Sequence, residues 1–258
     1  DPVPIPRMPT PQPMPTPQPM PTPQPMPTPD QMPAPEQMQP TNPAPIAAYN
    51  PNKAIDYARK WANPNRRPDE NTNPQYGRYP LDCSNFTSQT LHEAGIPMTE
   101  EWYHIRYPVL VWHEGELLPD KEWRYFSSRS WHNAHEQYKY FKKNHMEGEE
   151  IIIHSLEELD EIYKSGKVEK GDLLYWDYTG DGKIDHSTLI SSTDGELKYT
   201  AHTIDRFNES VRNSFIRQLK MHPNAKLRII RLKKEVPEGD LNWWDWLGDG
   251  LKKWWENL

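Results

Sequence analysis

Residues 82–89 read D-C-S-N-F-T-S-Q, and they contain the only cysteine in the 258-residue chain. We expect a helix from about Cys83 to residue 93, because Gly95 is a residue type that ends helices. At the N-terminal end of a helix, unpaired N–H groups and the helix dipole stabilise a thiolate. The same groups could bind the oxyanion that forms when a thiolate attacks a carbonyl. The stretch therefore predicts a nucleophile at Cys83, and the alternative is a cysteine that only packs.

A cysteine nucleophile also needs a base and a group that orients the base. His186 begins an expected strand after a tight turn, and His202 ends the next strand. In an antiparallel hairpin the two could be neighbours, so that His202 would bond the far nitrogen of His186 and fix its tautomer. Asp205 is the fallback for this third role. A lone histidine near a strand end is more often structural, but two of them together with Cys83 favour a catalytic set.

Helix signals come first along the body of the chain, and strand signals follow. Asn50 and Pro51 are suited to the start of a first helix. Residues 100–150 are interpreted as irregular and aromatic, apart from a helix near 131–142, and S-L-E-E at 155–158 is a capping-box pattern that starts another helix. Short β-rich segments follow at 172–177, 186–192, 197–202 and 227–232. This order predicts an α+β fold with an antiparallel sheet.

The composition argues against two classes of protein. The net charge is −7, and no long basic block provides the cationic face that sequence-independent nucleic-acid binding requires. No apolar run reaches the length of a transmembrane helix, and no signal peptide is present in the chain. The chain begins at Asp1 rather than Met, so an upstream segment could have been removed. We expect no nucleic-acid partner and no transmembrane span.

The N-terminal segment, 1–48, is a proline-rich repeat. Nineteen of the 29 prolines lie in the first 50 residues, and the hexapeptide M-P-T-P-Q-P recurs from Met8. Alternate prolines cannot donate hydrogen bonds to a helix or sheet, so we expect a disordered or polyproline II arm. A spacer through a cell wall, an SH3-type ligand and a linker without a partner remain open as its role.

The C-terminal segment, 237–258, is an amphipathic tail with five tryptophans in its last sixteen residues. Such a stripe suits a membrane or polymer interface, including a contact with the cell envelope. Its acidic residues outnumber its lysines, which weakens attraction to anionic lipid. Docking on its own domain or on a partner is an equal alternative. Apolar residues with three-four spacing form the stripe: Leu241, Trp244, Leu247, Leu251, Trp254 and Leu258.

Two patterns weakly suggest metal ions. Residues 177–185 mimic part of a calcium loop, but Thr188 stands where the loop needs a bidentate acid. A polar turn that presents His186 explains the string, so we expect no metal and no cofactor. His132 and His135 lack the H-E-x-x-H pattern of zinc peptidases. The calcium candidates are Asp177, Thr179, Asp181 and Asp185.

Three stretches together resemble the bacterial putative amidase domain family, which belongs with the papain-like, NlpC-type cell-wall cysteine hydrolases. They are D-C-S-N-F-T-S-Q at 82–89, G-D-G-K-I-D-H-S at 180–187 and A-H-T at 201–203. Y-N-P-N-K-A-I-D-Y-A at 49–58 and S-W at 130–131 also fit. The resemblance covers about 49–232, and we assign this domain to 49–236.

The resemblance implies a papain-like, NlpC-like fold in which a cysteine-bearing helix packs on an antiparallel sheet that carries the histidine. Carried over residue by residue, the nucleophile is Cys83, the base is His186 and the third polar residue is His202. Residues assigned to oxyanion binding or to support of the helix are Asp82, Ser84, Asn85 and Gln89. Tyr76 and Trp131 are assigned to substrate binding.

These expectations combine into a cysteine amidase or peptidase that cleaves amide bonds of bacterial peptidoglycan with a Cys-His-His triad. The protein would then be secreted or associated with the cell wall. Two alternatives stay open: a non-catalytic envelope-binding module on the same fold, and a thiol acyltransferase in which an amine replaces water.

Overall fold

A computed structural model describes residues 47–113 and 116–236 of the chain. The expectations for the proline-rich arm, except at 47 and 48, and for the tryptophan-rich tail therefore lie outside the described residues.

Six helices occur in the described part, and local signals explain where the first and the fifth of them begin. Asn50 caps the first helix by accepting from the backbone N–H groups of Asn52 and Lys53, and Ser155 caps the fifth by accepting from that of Glu158. Both starts confirm the prediction. The helices are α1 Pro51–Trp61, α2 Cys83–Glu93, α3 Arg129–His132, α4 Ala134–Asn144, α5 Leu156–Ser165 and α6 Val211–Met221.

The central element is a six-stranded antiparallel sheet in the order β4-β9-β5-β6-β7-β8. The short strands β1 and β10 pair with each other, and β2 pairs with β3. The mixed α+β class with antiparallel sheets is thus confirmed. The strands are β1 Ala47–Ala48, β2 His104–His113, β3 Glu116–Ser127, β4 Ile151–Ile153, β5 Leu173–Asp177, β6 His186–Ser192, β7 Lys198–Ala201, β8 Arg206–Ser210, β9 Lys226–Ile230 and β10 Glu235–Val236.

Helix α2 lies against strands β6 and β7 and also contacts α1, α3 and α4. Its residues from Cys83 to Leu91 are all buried. Phe86 packs with α1, whereas Leu91 joins the large aromatic core that includes Trp102 and Trp131. A helix covered on every side holds its first residue in a fixed position relative to the sheet.

The interpretation of residues 100–150 as irregular was wrong for its first part. β2 and β3 form a long hairpin there. Proline disfavours the interior of a strand, because it cannot donate to a β ladder. In the structure Pro108 lies beside a register shift between residues 108 and 110, where an irregular ladder tolerates it.

The segment 206–221 contains two further elements that the sequence interpretation missed, β8 and α6. The signal for α6 was present in the sequence. Ser210 caps the helix by accepting from the N–H of Asn213, and Val211 and Phe215 are buried four residues apart on one face. These elements matter because they form one wall of the pocket described below.

Within residues 47–113 and 116–236, no helix combines the length and the apolar character that crossing a membrane would require.

The turn before β6 depends on Gly180, whose φ of 74° lies in the left-handed region. A Cβ atom there would overlap the backbone oxygen of Asn224. Gly195 has almost the same φ, 75°, but open space around its Cβ position.

We expect Gly195→Ala to cost about 1–2 kcal/mol of unfolding free energy through backbone strain alone. Gly180→Ala should cost about 1–3 kcal/mol more, because the backbone must shift. Chemical denaturation of both variants measures the difference, and equal losses would contradict it.

Candidate functional site

Asp82 ties the start of α2 to its surroundings. Its Oδ1 accepts from the backbone N–H of Tyr79 at 2.7 Å and from Asn85 Nδ2 at 2.9 Å. Its Oδ2 faces His202 Nδ1 at 2.7 Å, and its own N–H donates to Thr203 Oγ1 at 3.0 Å. The carboxylate therefore joins the preceding loop, the helix and the end of β7 at one buried point.

The polar side chains of α2 hold the helix in the core. Asn85 Oδ1 accepts from Trp131 Nε1 at 2.8 Å, and Gln89 Oε1 accepts from the Tyr57 hydroxyl at 2.7 Å. The carbonyl of Ser84 accepts from Gln137 Nε2 at 2.8 Å. Buried polar groups need such partners, because leaving them unpaired costs free energy. Asn85 and Gln89 thus support the helix through hydrogen bonds.

Cys83, His186 and His202 line one pocket of about 330 Å³. Cys83 reaches it from the first turn of α2, His186 from the first position of β6, and His202 from just beyond β7. The remaining walls come from the turn before β6 and from β8 and α6. Further lining residues include Trp176, Tyr178, Asp185, Tyr199, Arg206 and Arg217.

Cys83 is 7% exposed and lines this pocket. Burial raises the pKa of the Cys83 thiol above its ordinary value, whereas hydrogen bonds from the backbone of Ser187 and from Ser84 oppose that rise. The expectation that the helix end stabilises a thiolate is corrected by this result. Desolvation outweighs the favourable dipoles, so the resting group is a neutral thiol.

His186 is half-buried and carries a neutral ring. Burial lowers its pKa to about 4, and the positive charge of Arg206 lowers the pKa in the same direction. Its ring lies near that of Tyr178, with 6.5 Å between centroids. Among the described residues no hydrogen bond joins His186 to Cys83 or to another side chain, so its nitrogens are available to a ligand in the pocket.

The expected hydrogen bond between His202 and His186 is not formed. His202 Nδ1 faces Asp82 Oδ2, and its Nε2 faces the carbonyl oxygen of Trp61 at 2.6 Å. The ring is 2% exposed and stacks on Phe86 with 3.8 Å between centroids. Both nitrogens face oxygen atoms that accept hydrogen bonds. The partner carbonyl belongs to the last residue of α1.

Asp205, the fallback for the third role, also bonds other residues than His186. Its Oδ1 pairs with Arg78 Nη2 at 2.6 Å, and its Oδ2 accepts from Asn71 Nδ2 at 2.7 Å. It approaches His202 Nε2 only at 3.9 Å. The structure therefore gives His186 no orienting partner from either candidate.

The assignment of Tyr76 and Trp131 to substrate binding disagrees with their positions. Trp131 is fully buried and Tyr76 is 4% exposed. Their rings stack at 5.8 Å, and the Tyr76 hydroxyl donates to Glu93 Oε1 at 2.5 Å. Both are core residues that support α2, and neither lines the pocket.

Backbone donors are available beside the thiol. Helical bonding begins at Phe86, whose N–H donates to the carbonyl of Asp82. Asp82 makes no side-chain cap, because its carboxylate is used by the contacts above. In the described structure no backbone acceptor takes the N–H groups of Cys83, Ser84 and Asn85. These groups fit the requirement for oxyanion binding.

The calcium-like string at 177–185 forms a turn closed by its own carboxylates. Asp177 accepts from the N–H groups of Gly180 and Gly182 at 2.7 and 2.9 Å. Asp181 and Asp185 accept from the N–H groups of Lys183 and Tyr178, both at 2.8 Å. Arg228 Nη2 lies 3.3 Å from Asp177 and adds a positive charge where a cation would bind. The turn presents His186, as the sequence interpretation favoured.

The metal candidates on α3 and α4 also have protein partners. His132 Nδ1 lies 2.8 Å from Ser127 Oγ, and His135 Nδ1 accepts from the N–H of Ile184 at 3.2 Å. Across the described residues, no group of three or more His, Cys, Asp or Glu could hold a metal ion.

Several lining residues were assigned no role from the sequence, among them Tyr178, Arg206 and Arg217. Tyr178 lies inside the calcium-like string, and its closeness to His186 was visible from the turn. Arg206 and Arg217 could not be placed without recognising β8 and α6. The amphipathic pattern of 211–221 was the signal that could have located the second of them.

Asp82→Ala should destabilise the domain by about 3–5 kcal/mol, because it leaves the buried ring of His202 without its carboxylate. The matched control is the exposed pair of His154 and Glu158, with 3.0 Å between Nδ1 and Oε2. His154→Ala should cost less than about 1 kcal/mol. Urea unfolding of both variants measures the two losses. Similar losses would show that the buried pair does not anchor α2.

Comparison with known proteins places the chain in a family. Residues 48–229 match the family described as a putative amidase domain. The chain is also 28% identical over 141 residues to the uncharacterized protein YhbB of Bacillus subtilis (strain 168). That similarity covers 55% of this chain and only 36% of the relative's length. No solved structure matches the chain. Because the family match spans more than half of its residues, this chain belongs to the putative amidase domain family, whose description indicates hydrolysis of amides.

Proposed function

We propose that the chain is a cysteine amidase or peptidase in which Cys83 is the nucleophile and His186 is the general base. The observation that carries the proposal is that both side chains line the same pocket, one from a helix start and one from a strand start. In the described structure, N–H groups of the first turn of α2 that have no backbone acceptor lie beside the thiol. A nucleophile, a base and oxyanion donors around one cavity are the parts that amide cleavage requires.

The protonation states suit general-base catalysis better than a preformed ion pair. The pKa of Cys83 is raised and that of His186 is lowered to about 4, so both groups are neutral near pH 7. The proton must then move from sulfur to nitrogen as the sulfur attacks. Catalytic hydrogen bonds are often long in free enzymes and shorten when substrate binds, so the absence of a Cys83–His186 bond is compatible with this role.

The reaction proceeds in two stages. His186 takes the thiol proton while Cys83 Sγ attacks the carbonyl carbon, and the N–H groups of the first turn of α2 bind the oxyanion. The intermediate collapses to a thioester as the imidazolium protonates the leaving amine. His186 then takes a proton from water, which attacks the thioester. The carboxylic acid leaves, and the imidazolium returns its proton to the departing thiolate.

In this proposal His202 and Asp82 are positioning residues. Their buried pair fixes the first turn of α2 against the end of α1, and so fixes the nucleophile relative to the sheet. His202 therefore acts through the helix and not as an orienting partner of His186. Binding of the substrate itself would select the orientation of the His186 ring.

The resemblance to papain-like, NlpC-type hydrolases supports the finer proposal about substrate and location. A nucleophile at a helix start and a base at the start of an antiparallel strand is the arrangement that this resemblance implies. We extend the proposal to amide or peptide bonds of bacterial peptidoglycan, cleaved by a secreted or wall-associated protein. The proline-rich repeat, which could serve as a spacer, supports the same location.

Cys83→Ala is expected to abolish hydrolysis and keep the fold, because the side chain it replaces is small and its contact with another side chain through a hydrogen bond is a long one, 3.7 Å to Ser84 Oγ. His186→Gln should lower kcat by about 100-fold or more, because the base is lost. Mass spectrometry of peptidoglycan digested by each variant measures both effects.

The matched control is His222→Gln, since His222 is exposed at the end of α6 and does not line the pocket. It should keep full activity. Thermal unfolding of every variant checks the fold, and an added amine that appears in the product would indicate acyl transfer in place of hydrolysis. Undiminished hydrolysis by folded Cys83→Ala would overturn the mechanism.

The two pKa shifts predict how kcat/KM and the alkylation rate of Cys83 change with pH. His186 accepts a proton only when its ring is neutral, so kcat/KM should rise with pH around 4 and level off toward neutrality. Burial raises the thiol pKa, so alkylation of Cys83 by iodoacetamide should increase roughly tenfold per pH unit between pH 6 and 8. Stopped assays from below pH 4 up to pH 8 measure both profiles. Fast alkylation that does not change with pH would indicate a preformed thiolate and refute the neutral pair.

A further inference from the structure

Two arginines line the pocket on the wall formed by β8 and α6. Arg206 is the first residue of β8, and Arg217 lies on α6. Both approach one carboxylate: Glu209 Oε1 lies 3.4 Å from Arg206 Nη1 and 2.8 Å from Arg217 Nη2. A single carboxylate between two guanidinium groups leaves one positive charge uncompensated on this wall.

Most donors of Arg206 have no protein acceptor. A guanidinium carries five N–H donors, yet in the described part of the chain the side chain of Arg206 makes only the ion pair with Glu209. Arg217 has one more protein acceptor than Arg206, because its Nη2 also donates to Ser214 Oγ at 2.7 Å. The Arg206 side chain is 31% exposed, so a ligand in the pocket can reach it.

The charge of Arg206 acts on the groups around the nucleophile. It adds to the effect of burial in lowering the pKa of His186, and it also lowers the pKa of Tyr178 and Tyr199 against the larger rise caused by burial. The acidic residue lining the pocket, Asp185, accepts from the N–H of Tyr178 within its own turn. The Arg206 charge therefore lies close enough to act on the reacting groups.

Building on the proposed function, we infer that Arg206 and Arg217 bind a carboxylate of the substrate, so that the enzyme selects small amides with a free carboxylate near the scissile bond. Guanidinium groups match the planar geometry of a carboxylate and bind it with charge-assisted hydrogen bonds. One uncompensated charge suits a carboxylate better than a doubly charged phosphate. The pocket volume of about 330 Å³ is near the lower end for small-molecule sites. The carboxylate and the scissile amide therefore belong to one compact ligand.

Binding to the inactive Cys83→Ala variant tests the inference without requiring catalysis. Two probe pairs are titrated and followed by protein NMR. N-acetyl-L-alanyl-L-alanine and its carboxamide place the charge on the leaving-amine side. N-succinyl-L-alaninamide and its succinamide form place it on the acyl side. We expect the carboxylate form of at least one pair to bind about tenfold or more tightly than its neutral form. Equal affinities in both pairs, or no binding by any probe, would overturn the inference.

Arg206→Gln and Arg217→Gln are each combined with Cys83→Ala. Each should bring the ratio of the two affinities, carboxylate form to neutral form, toward one. Arg206→Lys keeps the charge but loses the planar fork, so it should give an intermediate preference. The matched control is Arg212→Gln, because Arg212 lies on the same helix and pairs with Asp160 at 3.2 Å outside the pocket. It should leave the preference unchanged, and thermal unfolding checks that each variant folds.

The two proposals fail in distinguishable ways. Hydrolysis that persists without Cys83 would refute the amidase mechanism and leave the carboxylate preference to be judged by binding. A Cys83-dependent activity with a preference that survives both glutamine variants would refute the arginine site alone.

Discussion

The structure depends on the burial of a polar helix. From Cys83 to Leu91 every residue of α2 is buried, although most of these side chains are polar. Such a helix is stable only if its polar groups find partners, because each unpaired one would cost free energy. Trp131, Gln137 and Tyr57 supply those partners from α3, α4 and α1. The surrounding elements are therefore held in the positions that satisfy α2, and Cys83 at its start is held with them.

The same burial determines the chemistry of the site. Removing Cys83 from water favours the uncharged thiol, and removing His186 from water favours the uncharged imidazole. Both pKa shifts oppose an ion pair, and in the proposed mechanism the proton moves only at the moment of attack. Arginines on β8 and α6 supply positive charge in the same pocket, where we propose that they bind a substrate carboxylate, because Glu209 can neutralise only one of them.

Local signals predicted much of the fold. The start of α1 at Pro51, the extent of α2 and the bounds of β6 follow from caps, glycines and β-rich runs that act within a few residues. The hairpin of β2 and β3 escaped prediction because Pro108 is tolerated only at an irregular position of the ladder, which depends on pairing with a distant strand. Tyr76 and Trp131 looked like binding residues, yet packing against α2 buries both.

The sequence by itself determined that Cys83 begins a helix and that His186 begins a strand, because caps and turns are local. Only the tertiary structure decided which atoms meet. Asp82 and His202 are 120 residues apart, and their contact depends on how α2 packs on the end of β7. The partner of each His202 nitrogen, the direction of each pKa shift and the placement of Arg206 in the same pocket as the thiol all follow from that packing. Hydrogen bonding and desolvation depend on neighbours in space, which the order of residues alone does not specify.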